Sequence, residues 1–247
     1  MTNRYFTAAL ASLALLAAQP ATAAPTGRAG SSAANAVEEV VVTGSRIRDY
    51  DPNETPHVSV LKRADNLLVE VKVVCDTRDK PQRLDEIRAT LRNMIRTAAK
   101  DPSVKLGLGD EIVGAFDDSM IESLIRPDTK ADTSYAILLI KTPVSQSDSF
   151  DEASRRLSSF IDRVQKVGRT EVLIQGDWQL SLIGPAQYRA QVVKAVADDA
   201  RIAAADFGEG YGVKVIGLEH PVQWYRAGPL DLALYIPYRL EIEALRH

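Results

Sequence analysis

The sequence holds few residues whose type and spacing would support metal binding. Its three histidines are His57, His220 and His247, and none stands in a metal-ligand spacing such as His-Glu-x-x-His. The single cysteine, Cys75, excludes a zinc site built from several thiolates. We therefore expect no metal and no cofactor, and we expect His57 and His220 to be surface residues at strand ends.

Nucleophilic and acid–base catalysis also lack a recognisable constellation of residues. No Gly-x-Ser-x-Gly elbow occurs, and Ser149 has the spacing of a helix cap with Glu152. The carboxylate pairs Asp117–Asp118 and Asp198–Asp199 are sequence neighbours, and neighbours on a helix point about 100° apart. They do not make a shared acid–base site by themselves, so we expect the chain to have no enzymatic activity.

Glycines at positions 208, 210 and 212 resemble part of a nucleotide-binding loop. They follow an Ala-rich helical segment, whereas a dinucleotide loop follows a strand and opens a helix. The pattern therefore predicts a helix end. Nucleic-acid binding is also disfavoured, because the formal net charge is −3 and the sequence pI is about 5.7, whereas phosphates require a basic surface.

The first residues have the pattern of a secretory signal peptide. Arg4 supplies a positive charge, Phe6–Ala18 is an uncharged apolar run, and small residues at Ala21–Ala23 suit a signal peptidase. The run is shorter than the roughly 20 apolar residues that span a membrane. We predict a signal peptide over residues 1–23, cleaved between Ala23 and Ala24, and a periplasmic protein without a transmembrane segment; an uncleaved N-terminal anchor is the alternative.

We predict a disordered linker over residues 24–56, because Ala, Gly, Ser and Pro dominate Pro25 to Ala36. Within residues 24–56, the segment from Glu38 to Ile47 resembles the TonB-box region of TonB-dependent outer-membrane receptors. The resemblance implies that an extended strand pairs with TonB by adding to its sheet. The implied contact residues are Val40, Val41, Val42 and Thr43. A first strand of the folded domain, or a β-prone tail, is the alternative.

Apolar residues at three- and four-residue steps predict three amphipathic helices. The longest begins at Pro185 and ends at Gly208, and a second follows a cap at Thr77 or Asp79. The third begins after Ser149, and we expect Gly168 to close it. Their apolar faces comprise Val192, Val196, Ala200, Ala203 and Phe207; Leu84, Ile87, Leu91, Met94 and Ala98; and Phe150, Ala153, Leu157, Phe160, Ile161 and Val164.

Alternating apolar residues predict amphipathic strands around these helices. Gly176–Asp177 predicts a two-residue hairpin turn, and the unbroken alternation from Leu230 to Ile242 predicts one long strand, at an edge or bulged because of Pro237. Residues 103–130 give no firm prediction. We expect an α+β fold in which about three helices pack on one face of a largely antiparallel sheet, in two related βαββ-like halves.

An aromatic and arginine cluster at Trp224, Tyr225 and Arg226 lies between two predicted strands, beside Pro221 and Gly228. A loop carrying these residue types is typical of a protein–protein interface. Folding of the Trp back onto the sheet is the alternative.

The region from about 57 to 243 resembles the SIMPL-domain (DUF541) family of bacterial envelope proteins. The resemblance rests on Val58–Val60 before an alternating Val strand, on Asp199–Arg201 in the Ala-rich helix, and on the glycines and Val213 that follow. It implies a SIMPL-like domain over residues 57–247, associated with the periplasm or outer membrane and often oligomeric.

We therefore expect an exported, non-enzymatic cell-envelope protein that acts through protein–protein association or self-assembly, with a second copy or an outer-membrane protein as partner. Two alternatives remain at this point. One is a periplasmic adaptor that engages TonB through residues 40–43, and the other is an envelope hydrolase with an unrecognised site.

Overall fold

The computed structural model describes residues 39–42, 58–109 and 113–245. The predicted signal peptide, its cleavage between Ala23 and Ala24, and the predicted linker apart from residues 39–42 lie outside these ranges. Thr43, His57 and His247 also lie outside them.

Four α-helices occur in the described part of the chain: α1 (Lys80–Ala99), α2 (Ile121–Leu124), α3 (Phe150–Arg163) and α4 (Arg189–Phe207). Short 3₁₀ turns, Asp118–Met120 and Pro185–Tyr188, precede α2 and α4. Asp79 caps α1 by accepting the backbone N–H of Gln82, and Ser149 caps α3 in the predicted capping box with Glu152. None of these helices is long and apolar enough to cross a membrane.

Twelve strands accompany the helices in the described ranges. They are β1 (Glu39–Val42), β2 (Val60–Arg63), β3 (Asn66–Cys75), β4 (Lys105–Leu108), β5 (Gly114–Ala115), β6 (Arg126–Pro127), β7 (Ser134–Pro143), β8 (Thr170–Ile183), β9 (Tyr211–Ile216), β10 (Gln223–Arg226), β11 (Asp231–Tyr235) and β12 (Arg239–Ala244). Every pairing between them is antiparallel.

The largest sheet has the strand order β1-β8-β3-β7-β4-β5, with β6 paired to the first residues of β7. This sheet curls, and the N–H of Val113, just before β5, donates to the carbonyl of Glu39 in β1 at 3.2 Å. A second sheet has the order β10-β11-β2, and β9 pairs with β12 in a two-stranded ribbon. Helices and antiparallel strands are thus combined as the α+β prediction requires, and that prediction is confirmed.

Two apolar cores lie against one face of the large sheet. In the first, α1 and α3 cover alternate residues of β3, including Val69, Val71 and Val73. In the second, Leu67 of the same strand face packs with Leu232 and Leu234 of β11. Helical residues Ala153 and Val192 join this second core, so the apolar side of β11 meets helices as expected.

The predicted hairpin turn at Gly176–Asp177 is wrong, because β8 continues through both residues. Leu68 pairs with Gln179 and Glu70 pairs with Gln175, so three residues of β8 stand opposite Val69 alone. Such an insertion is a β-bulge, which bends a strand and re-aims its side chains. Here Trp178 turns to pack against both cores.

The predicted unbroken strand from Leu230 to Ile242 is also wrong. It divides into β11 and β12, which belong to different sheets, with Pro237 between them. Proline cannot donate to a strand ladder, so the run breaks at this position while its alternation continues on both sides.

Two further expectations need correction. α3 ends at Arg163 with Val164 as its cap residue, so Gly168 does not close the helix. Residues 39–42, inside the predicted linker, form β1, which agrees with the alternative of a first strand. Residues 103–130, for which the sequence gave no firm prediction, supply β4, β5, α2 and β6.

Candidate functional site

The predicted interface cluster lies on strand β10, so its assignment to a loop is wrong. Alternation along the strand separates its members. Trp224 stands opposite Leu234 and packs against the second core, whereas Tyr225 stands opposite Ala233 on the other face. The alternative in which the Trp folds back onto the sheet therefore describes Trp224.

Arg226 shares the inward face with Trp224 and has a structural set of hydrogen bonds. Its guanidinium donates to the carbonyls of Gly228 at 3.1 Å, Trp178 at 2.8 Å and Pro229 at 2.8 Å. Burial lowers the pKa of this guanidinium below its ordinary value. Arg226 thus ties β10 to the bulge of β8.

The outward face of the three-stranded sheet carries a different group of side chains. Leu61, Ala233 and Tyr225 form one row across β2, β11 and β10. Leu61 is 73% exposed, and the rings of Tyr225 and Tyr235 lie 5.9 Å apart. The outward surface at the predicted interface is therefore formed by Tyr225 and its neighbours.

The segment that resembles a TonB box is the edge strand β1. Val40, Val41 and Val42 stand opposite Leu182, Ser181 and Leu180 of β8, and Val40 is buried in the second core. One edge of this strand is thus already paired within the chain.

A buried polar cluster holds β1 in place on the face of the large sheet opposite to the two apolar cores. Oε1 of Glu39 accepts hydrogen bonds from Asn66 Nδ2 at 2.7 Å and from Ser181 Oγ at 2.6 Å. Its Oε2 forms an ion pair with the ammonium of Lys141. The Glu39 and Lys141 side chains are 10% and 13% exposed. The sequence analysis placed Glu39 in the TonB-box-like segment, and no spacing linked it to Asn66, Lys141 or Ser181.

A second buried carboxylate, Glu86 of α1, lies between β3 and the loop before β8. Its four hydrogen-bond donors are Thr77 Oγ1 (2.7 Å), Gln82 Nε2 (2.8 Å), Cys75 Sγ (3.1 Å) and the Arg169 N–H (3.1 Å). These bonds, that from Thr77 above all, lower the pKa of Glu86 from 4.5 to about 2. The carboxylate is saturated with donors, which indicates a structural role.

A cavity of about 400 Å³ lies between α3 and the turn after α1. Arg156 forms a two-pronged ion pair with Asp148 at 2.9 and 3.0 Å, and Arg163 pairs with Asp101. The hydrogen bonds from Arg156 hold the pKa of Asp148 well below its ordinary value. Two pairs of opposite charges, Arg156 with Asp148 and Arg163 with Asp101, thus lie at the cavity wall.

The remaining predicted polar residues have local roles. Asp117 accepts the N–H of Ser119 at 2.8 Å and begins the 3₁₀ turn, and Asp118 pairs with Arg92 at 3.0 Å. Asp198 pairs with Lys194 and Arg201 on α4, while Asp199 accepts from Tyr238 at 2.5 Å. His220 is exposed, and Gly208 ends α4 with φ of 87°, as predicted.

Two general observations concern catalysis in the described residues. They contain no group of three or more His, Cys, Asp or Glu side chains that could hold a metal ion. Wherever a carboxyl pKa is shifted there, it is lowered. These carboxylates stay ionised at neutral pH, whereas a general acid needs a raised pKa.

No protein-family model matches the chain, and no curated protein matches it. Among solved structures, the chain is similar to a hydrolase from Listeria innocua, described as a crystal structure, at 9% sequence identity. The match covers 79% of this chain and 97% of that chain, with a TM-score of 0.15. A similarity at this level bears on neither fold nor activity, and the resemblance to SIMPL domains stays a prediction.

Proposed function

We propose that the chain is an exported, non-enzymatic cell-envelope protein that acts through protein–protein association. The observation that carries this proposal is a group of large exposed apolar side chains around the turn between α4 and β9. Phe207, Tyr211 and Leu245 are 53%, 47% and 52% exposed. We call these three residues the ribbon end.

The ribbon end is compact. The rings of Phe207 and Tyr211 lie 6.4 Å apart, and the N–H of Leu245 donates to the carbonyl of Gly210 at 2.9 Å. Leu245 also extends over Gly212, where an added Cβ would meet its side chain at 3.0 Å. Exposed apolar groups that adjoin one another favour contact with another protein, because association removes them from water.

The ribbon itself supports an association role. It has only two strands, and two-stranded sheets are marginally stable unless another surface covers them. α4 covers part of the apolar face, where Tyr238 reaches Asp199. Ile242 on that face remains 37% exposed. A second protein at this position would complete the cover.

The ionised carboxylates described above also favour a binding protein over an acid–base enzyme. Glu86 and Asp148 are engaged by donors from their own fold, and this leaves neither free to transfer a proton at neutral pH.

Export and a periplasmic location rest on the predicted signal peptide. N-terminal sequencing of the periplasmic fraction tests them, because a chain beginning at Ala24 is expected.

The association proposal is tested with the processed protein. Replacing Phe207 and Tyr211 with Ser is expected to lower the mass of the assembly in light scattering, or to release an envelope partner in co-purification. The matched control is Ile202→Ser, which removes a 65% exposed apolar side chain from α4 outside the ribbon end. A wild-type chain that stays monomeric and retains no envelope component would contradict the proposal, as would an unchanged double variant.

A second candidate function is engagement of TonB through residues 40–43. The extended conformation of residues 39–42 at a sheet edge supports it, because TonB pairing by strand addition requires an extended segment. A pull-down with the periplasmic part of TonB tests it, with deletion of residues 38–47 as the comparison. Equal retention of both chains would reject this function.

A further inference from the structure

We propose that the edge of β8, together with Asn66, Lys141 and Ser181, is an acceptor site for an extended Glu-Val-Val-Val strand, and that two copies of the chain exchange β1 through it. The partner is thus a second copy of this chain. The inference concerns a different surface from the ribbon end and does not depend on it.

The site is built by three strands of the folded body. Asn66 lies at the start of β3, Lys141 near the end of β7 and Ser181 near the end of β8, and all three contact the carboxylate of Glu39. Asn66 is 7% exposed and Ser181 is fully buried. Asn66 Nδ2 also donates to Ser181 Oγ at 3.1 Å, which orients both groups before any carboxylate arrives.

An empty acceptor site would be unfavourable. Without β1, the ammonium of Lys141 would lose the acidic partner that it has in the structure. The amide of Asn66 and the hydroxyl of Ser181 would each lose a charged acceptor. The body therefore favours a state in which some Glu-bearing strand occupies the site.

β1 itself has few ties to the body. It has four residues, all paired with β8, and Val40 is its buried apolar residue in the second core. Further ties are the Glu39 side-chain contacts given above, the proximity of β1 to β10, and the N–H of Val113, which donates to the Glu39 carbonyl. The strand can therefore leave without disrupting the first core, in which it has no residue.

The connection to the body is long enough for exchange. Fifteen residues, 43–57, separate β1 from Val58. At about 3.3–3.6 Å per residue, such a connection spans up to roughly 50 Å. The contacts of β1 are the same in either arrangement, so concentration and the connection decide between occupancy within one chain and between two chains.

Disulfide trapping between full-length processed chains tests the exchange. Val41 and Ser181 are directly opposite in the ladder, so cysteines there can join. One copy carries Val41→Cys and a differently tagged copy carries Ser181→Cys. We expect a disulfide-linked pair of the two copies whose yield rises with protein concentration. Cys75 does not interfere, because it is buried.

The matched control pairs Val41→Cys with Leu173→Cys, an exposed position on β8 outside the β1 ladder, and is expected to give no linked pair. Because Ser181→Cys alters the acceptor site, a second measurement leaves that site intact. A photo-crosslinking residue replaces Val41 in one copy, which is mixed with ¹⁵N-labelled wild-type chain. We expect light–heavy crosslinks between peptides containing β1 and β8.

The proposal is overturned if the double variant V41C/S181C closes its disulfide within one chain while neither mixture yields a link between copies at any concentration. Light scattering under reducing conditions measures the mass of the assembly without disulfide links, and so tests the ribbon-end proposal separately from strand exchange. Assemblies that persist without exchange would leave the ribbon-end proposal standing and reject strand exchange.

Discussion

Gly168 lies directly against the carboxylate of Glu86, so that a Cβ added to Gly168 would come within 2.1 Å of the carboxyl carbon. The glycine also has φ of 59°, which side chains rarely adopt. This close approach brings the neighbouring N–H of Arg169 to the carboxylate at 3.1 Å. Gly168 therefore allows the loop before β8 to pack closely against α1.

Gly168→Ala is expected to destabilise the protein by at least about 3 kcal/mol, because backbone strain adds to displacement of a hydrogen-bonded buried carboxylate. The matched control is Gly176→Ala. Gly176 also has a positive φ, of 72°, but an added Cβ would meet nothing within 4 Å. Only backbone strain of about 1–2 kcal/mol is expected there. Chemical denaturation measures both, and equal losses would contradict the contact with Glu86.

Glu86 should make the free energy of unfolding depend on pH. Its pKa in the folded protein, about 2, lies below the ordinary value of 4.5. The ionised form therefore stabilises the fold above pH 4.5, by about 3 kcal/mol at most, and this contribution is lost as pH falls towards 2. Glu86→Gln is expected to cost most near neutral pH and progressively less between pH 4.5 and 2.

Urea denaturation of wild type and Glu86→Gln across this pH range measures the effect. Glu171→Gln, at an exposed position on β8, is the control for loss of a carboxylate as such. A cost of Glu86→Gln that stays constant from pH 7 to pH 2 would show that the pKa of Glu86 is not lowered by folding.

The alternation along β10 predicts different results for its neighbouring residues. Trp224→Ala is expected to cost about 2–4 kcal/mol of stability, because the ring packs against the second core. Tyr225→Ala should cost about 1 kcal/mol, mainly through its ring contact with Tyr235. If β10 forms an interface, Tyr225→Ala is the change that weakens association in a stably folded chain.

Thermal or chemical denaturation and light scattering, made on the same samples, separate these two effects. Arg226→Ala is expected to follow Trp224→Ala, because its three carbonyl partners lie within the fold. If the Trp224→Ala variant is stable but fails to associate, Trp224 rather than Tyr225 lies on the outward face of β10.

The buried pair of Glu39 and Lys141 predicts strong coupling. Glu39→Ala alone leaves a largely buried ammonium without this partner and should cost about 3 kcal/mol or more. The double change Glu39→Ala with Lys141→Ala should cost less than the sum of the single changes, because it also removes the Lys141 ammonium that the single change Glu39→Ala leaves unpaired. A double-mutant cycle in urea measures the coupling energy, and additive costs would contradict a buried pair.

The sequence predicted those elements whose local signals agree with their packing. The helix after Asp79 and the capping box at Ser149 and Glu152 are examples, because the cap and the apolar face lie in the same short segment. The strand pattern of Val69, Val71 and Val73 was equally informative, since that face meets one core along its length.

The wrong predictions share a physical cause, namely that a local signal has two outcomes and distant contacts select one. Gly176–Asp177 suits a tight turn and also a bulge, and pairing of β8 with β3 on both sides selects the bulge. The strand at Trp224 depends on pairing with β11, which flanking Pro and Gly residues do not reveal.

The polar cluster around Glu39 shows a further limit of sequence reasoning. Its members come from positions 39, 66, 141 and 181, and no periodicity connects them. Only the strand order places β1, β3, β7 and β8 together. The candidate exchange site was therefore beyond prediction from the sequence, although the strand that occupies it was recognised as β-prone.

Cys75 has a practical consequence. Its thiol is 1% exposed, at the end of β3, and donates to Glu86 where the loop before β8 meets α1. A thiol reagent can react there only after this junction opens. The rate at which a thiol reagent labels Cys75 in the unaltered protein therefore measures the opening of this junction, and no probe has to be introduced.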